Sequence, residues 1–154
     1  MPGYKGHMLG AFVFLGLSLM ASAAAGFVFQ PALVAQAAFF VFLGALFPDI
    51  DTKSKGQKLF YAVLCAFIIG LFVYKKYYAG LALALLGFLP LFSNHRALFH
   101  KFWFAGIVAG ALMIGCAFYC PAYTNVGIRN GMFFLVGVLS HLILDFGLRG
   151  FLKK

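Results

Sequence analysis

Glutamate is absent from this chain, and its only side-chain carboxylates are Asp49, Asp51 and Asp145. Charge of either sign is thin, at 10% of 154 residues, where ordinary soluble domains carry about 25%. So little polar surface cannot cover a folded exterior in water. That excludes a soluble enzyme, a disordered chain and a specific nucleic-acid-binding module. Cysteine is also scarce: Cys65, Cys116 and Cys120 all sit in apolar runs. An odd count without compact spacing is neither a disulfide framework nor a zinc knuckle. Cys116 and Cys120, four apart, read as small apolar residues within a span. No internal repeat, linker or composition break divides residues 1–154, so they read as one domain.

What is present is hydrocarbon. Apolar residues make up 64% of the chain, and the mean hydropathy is +1.01. The expected fold is an all-α integral membrane bundle of about six spans. Lys5, an apolar run and Ala21-Ser22-Ala23 have the look of a cleavable leader. The run continues to Phe29, however, so Met8–Phe29 reads as a retained first span. Polar punctuation then sets further spans at about Ala32–Phe47, Leu59–Tyr74, Ala79–Phe92, Phe102–Cys120 and Gly131–Phe146. Several are shorter than the usual ~20 residues, which points to shielding or a thinned bilayer.

The cations orient this map. With six spans, Lys5, Lys53, Lys55, Lys58, Arg96, Lys101, Arg149, Lys153 and Lys154 share one side, and Lys75, Lys76 and Arg129 take the other. The richer side is expected to be cytoplasmic, placing both termini inside a cell (inner) membrane. The net charge of +9 needs no nucleic acid to explain it.

All seven acids and histidines fall on that same side. His7 opens the first span, Asp49 and Asp51 close the second, and His95 and His100 bracket the fourth-to-fifth connection. His141 and Asp145 end the sixth. Ionisable groups are costly in a membrane and mark functional sites, and His with carboxylate is a natural ligand set for zinc and similar ions. His141 and Asp145 stand at i and i+4, on one helix face, with Gly137 expected to leave space one turn earlier. A buried His–Asp hydrogen bond locking two helices is the plainer reading of that pair. Asp49 and Asp51, after Pro48, also suit a helix cap or pairing with Lys53 and Lys55. Their company on one side favours coordination.

Gly6-His7, Phe47-Pro48-Asp49-Ile50-Asp51, His95-Arg96 with His100, and Ser140-His141 with Asp145 together resemble the YdjM-like family of inner-membrane-associated, metal-dependent hydrolases. The family's central motif reads HRGxTHS. Here the two histidines and the arginine stay, while Ala97, Phe99 and Lys101 replace the Gly, Thr and Ser. The family is in turn distantly similar to all-helical zinc-dependent phospholipase C and single-strand nuclease enzymes, whose HxxxD/E ligand pair corresponds to His141 and Asp145.

The expectation is therefore a metal site of His7, Asp49, Asp51, His95, His100, His141 and Asp145 at the cytoplasmic interface. Seven ligands exceed one tetrahedral zinc, so two or more ions bridged by an aspartate are expected. With no spare acid as general base, activation of water falls to the metal. Asp51 and Arg96 are the residues expected at the chemistry. Arg96 would grip phosphate, or else is one more positive-inside cation. The partners are membrane lipids, with a phosphoester of an anionic amphiphile as substrate. The alternative is passage of a divalent metal or protons without hydrolysis, although nothing ionisable continues the path beyond this side. A structural protein with a metal staple is a third reading.

Overall fold

A computed structural model describes residues 3–88, 90 and 98–151. Six α-helices lie among them: α1 (Tyr4–Ala24), α2 (Pro31–Leu46), α3 (Lys55–Val73), α4 (Tyr77–Phe88), α5 (Phe102–Tyr119) and α6 (Thr124–Phe151). Short 3-10 turns follow α2 at Phe47–Asp49 and α5 at Pro121–Tyr123.

Local chemistry sets these ends. The first helix stops early because Gly26 takes a positive φ of 88°, with Gly26 N–H donating to Ala23 O and Phe27 N–H to Ser22 O. That closure suits glycine, and it replaces the expected run to Phe29. At the other end α1 starts at Tyr4, so His7 lies inside its first turn. Pro31 opens α2, where its missing N–H costs nothing, and Pro48 ends it. Ser54 caps α3 by accepting from Gln57 N–H at 3.0 Å, and Gln57 Nε2 donates to Ile50 O at 2.8 Å. Thr52 Oγ1 donates to Asp49 O at 2.7 Å. The loop carrying Asp49 and Asp51 is thus tied at both ends.

The sixth helix begins at Thr124, not at Gly131, and absorbs the expected Arg129-Asn130 break. Three residues of 3-10 turn suffice after Pro121, and Arg129 NH2 reaches Gln36 Oε1 at 3.4 Å from within the helix. Among the described residues, five helical segments are long and apolar enough to cross a membrane. The 12 described residues of α4 rise about 18 Å of a hydrocarbon core of about 30 Å.

The core is a seam between α2 and α6. A Cβ on Gly44 would run into the carbonyl oxygen of Phe134, and one on Gly137 into that of Val41. Small residues at such a crossing let two backbones touch where lipid supplies no hydrophobic drive. Gly137 therefore makes a helix contact and does not open space above His141. Val41, Val138 and Leu142 fill the seam. Helix α1 lies against both partners through Ala11 and Leu15, with Gly10 under the Leu144 side chain. Around Phe47, the rings of Phe60, Phe99, Phe104 and Phe134 pack with centroids 5.2–6.5 Å away.

Candidate metal centre

One end of this seam gathers the scarce ionisable groups. His7 comes from the first turn of α1, Asp49 from the turn after α2, His100 from just before α5, and His141 and Asp145 from α6. His7, His100 and His141 are buried, and the Asp145 side chain is 4% exposed. Asp49 is the opening of the cluster, with its side chain 27% exposed.

The seam fixes His141 first. Its Nδ1 lies 2.7 Å from the carbonyl oxygen of Ala45, across the crossing that Gly44 and Gly137 permit. A carbonyl only accepts, so Nδ1 carries the proton and Nε2 keeps its lone pair. This is how metal-binding histidines are commonly oriented, with the far nitrogen donating to a backbone oxygen. Stacking then holds the ring of His7 on that of His141, with centroids 3.7 Å apart and planes within 8°.

The free Nε2 of His141 faces Asp145 Oδ2 at 3.5 Å and Asp49 Oδ1 at 3.8 Å. His100 Nε2 stands 3.6 Å from Asp145 Oδ2 and 3.7 Å from Asp49 Oδ1. His7 Nε2 is 3.5 Å from the other Asp145 oxygen, Oδ1. These separations exceed the 2.7–3.2 Å of an N–H···O bond. Two ligands each about 2.0–2.2 Å from one ion at the tetrahedral angle stand about 3.3–3.6 Å apart. The three separations to Asp145, 3.5–3.6 Å, are those of ligands around a centre, and the two to Asp49, 3.7–3.8 Å, are slightly wider.

Satisfaction gives the same answer. His7 Nδ1, His141 Nε2 and Asp145 Oδ1 are buried without a hydrogen-bond partner among the described residues. Buried polar atoms left so are costly, and clusters of them signal an ion or water. Two overlapping groups, His7–His141–Asp145 and Asp49–His100–His141, keep their ligand atoms within 4.8 Å of one another and could hold a metal. They share His141, whose only free nitrogen is Nε2, so they are two parts of one site. Asp145 presents one oxygen to His7 and the other to His100 and His141.

Electrostatics keeps His100 ready to coordinate. Burial pushes the His100 imidazole below its ordinary range, and His141 acts the same way, against the opposing pull of Asp49, Asp51 and Asp145. A neutral imidazole is the form that binds metal. Asp51 stands near enough to act on His100 by charge but falls outside both ligand groups. His95 and Arg96 lie outside the described residues. Lys53, Lys55 and Lys58, on the tied loop and the first turn of α3, are exposed at this end, and Lys101 directly follows His100.

Two contributors have no chemical signature in the sequence. The Ala45 carbonyl orients His141, and Gly44 brings it within reach. The only textual hint is the pair of small residues Gly44-Ala45 in α2 matched by Gly137 in α6.

A model of the YdjM inner membrane protein family matches residues 1–150. No curated protein matches the chain, and no solved structure does.

Proposed function

The chain belongs to the YdjM inner membrane protein family, and from that and its buried His–Asp cluster we propose a membrane-embedded metal-dependent hydrolase. One observation carries the reading: three imidazoles and two carboxylates from four chain segments converge with N···O separations of 3.5–3.8 Å. His7, Asp49, His100, His141 and Asp145 would hold the ions, zinc by donor chemistry. Asp145, with one oxygen toward His7 and the other toward His100 and His141, would be a ligand on both sides of the site. When bound, such ions lower the pKa of water and polarise a phosphoryl oxygen.

The chain's own residues supply the rest. Ala45 O holds the His141 tautomer, and His7 braces that ring by stacking. Asp51, whose charge acts on His100, is assigned to the chemistry beside the ions, and Arg96 to grip phosphate through its planar fork. Lys53, Lys55, Lys58 and Lys101 favour an anionic head group. A phosphoester of a lipid or other amphiphile is the substrate class that this charge and membrane setting support. With six crossings, the nine-to-three division of cations assigns the site to the cytoplasmic face of a multi-pass protein with both termini inside.

Elemental analysis of the purified protein, with phosphate release from anionic lipid and a chelator control, tests the reading. Bound zinc and chelator-sensitive release support it. Zinc flux through proteoliposomes without release would replace it with transport, and absence of any bound divalent ion would reduce the cluster to polar packing. Reporter fusions at Lys154 and near Tyr123 test the orientation: a cytoplasmic reporter should be active at the first and silent at the second.

A further inference from the structure

Beside the cluster lies a second feature that the hydrolase reading does not use. A cavity of about 410 Å³ separates the α3–α4 hairpin from α5 and the α2–α6 seam. Its volume is within the about 300–1,000 Å³ of ligand pockets. At one end Phe47, Ile50 and Phe99 line it, and these are the chain neighbours of Asp49, Asp51 and His100. From there it follows α5 from Phe104 to Cys116, a rise of about 18 Å. Half of a hydrocarbon core of about 30 Å is about 15 Å. The cavity thus has the length of one leaflet's chain, and its near end is walled by chain neighbours of the residues that form the metal centre. Its far end is lined by Tyr123 and Asn130.

Ring contacts hold the hairpin off the seam. Helix α4 packs on α3, with Gly80 against Phe72 and Gly87 against Leu64. The hairpin leans on the rest through Phe60 on Phe47 and Phe67 on Phe39. Apolar walls in lipid gain little by collapsing, while an empty channel forfeits dispersion contacts along its length. A hydrocarbon chain is the occupant with the matching length, polarity and source.

The geometry points to this cleft as the binding site for a single hydrocarbon chain of the amphiphile whose head group meets the His–Asp cluster. The assignment rests on the proposed hydrolase reading for the head group only. The chain lies along α5 with its terminus near Met113 and Cys116, and the polar stop at Tyr123 and Asn130 sets its length. Substrates with chains much shorter than a leaflet leave the far end unfilled and bind more weakly.

The test needs no turnover. Trp103, the only tryptophan, is removed as Trp103→Phe, and a reporter is placed at the far end as Met113→Trp or near the mouth as Phe104→Trp. The protein is reconstituted in vesicles of anionic lipid brominated either near the chain terminus or near the carbonyl. Terminal bromines should quench the far reporter more strongly, and carbonyl-proximal bromines the near one. A plug in the cleft, Ala109→Phe, should cut quenching of the far reporter at least two-fold. Leu83→Phe, from the α4 wall, serves as a second plug if the first fails to fold. Quenching unchanged by a folded plug would come from surrounding lipid alone and would overturn the proposal, as would a reversed depth pattern. Quenching in a protein that releases no phosphate would keep the chain site and discard only the hydrolase reading.

Discussion

The α2–α6 seam and the α3–α4 hairpin are both glycine-bearing apolar helix pairs, yet they pack in opposite ways. In the seam, each glycine faces backbone: Gly44 meets the Phe134 carbonyl and Gly137 the Val41 carbonyl. In the hairpin, the glycines face side-chain ends, Gly80 the ring of Phe72 and Gly87 the Leu64 methyl. Backbone cannot step aside, whereas a leucine changes rotamer at a cost of about 1 kcal/mol. The seam is rigid and aims His141 and Asp145. The hairpin is adjustable and borders the cleft. Glycine in a membrane helix therefore has no single meaning; what lies opposite it decides.

The comparison breaks most severely at the seam. Gly137→Leu should force the two backbones apart and cost more than the about 1–3 kcal/mol usual for overpacking, so that detergent-purified protein loses its cooperative thermal transition and its bound metal together. His141→Ala comes next. It should abolish metal binding while the protein stays inserted and monodisperse, because it removes a ligand and frees the Ala45 carbonyl without touching the glycine contacts. Retention of full metal content in that variant would detach the seam from the site. In the hairpin, Tyr61→Phe deletes the O–H bond to Gly87 O, 3.1 Å long, and should lower stability by only about 0.6 kcal/mol with unchanged metal content. The smallest effect belongs to Gly70→Ala. Nothing lies within 4 Å of a Cβ there, and helix propensity favours alanine by up to about 1 kcal/mol, so the melting temperature should hold or rise slightly.

Much of this was legible in the residues. Scarcity made it so: with three acids and four histidines in the whole chain, their common sidedness pointed to one place before any packing was known. The i, i+4 spacing of His141 and Asp145 put them on one helix face, and Pro48 placed Asp49 at a helix end. Helix boundaries were less legible where apolar residues run past a terminus. The end of α1 depends on Gly26, not on the hydrophobicity that continues to Phe29. The start of α6 lies upstream of Arg129 because an arginine near a helix end can stay helical once Gln36 accepts its N–H. Gly137 was misread for a related reason, since a glycine leaves space or removes it according to its neighbour.

Composition and periodicity by themselves determined the membrane bundle, the number of helices, the common end of His7, Asp49, His100, His141 and Asp145, and the i, i+4 pair on α6. These follow from solvent preference and helix geometry, which act along the chain. Only the tertiary structure decided which nitrogen of His141 is free, that Asp145 divides its oxygens between His7 and the other two histidines, and that an apolar cavity of chain length lies between the α3–α4 hairpin and the seam. Each of those depends on how closely two helices approach. That distance is set by atoms from residues far apart in sequence, such as the Gly44 and Gly137 hydrogens and the carbonyl oxygens they face, and no local pattern encodes it.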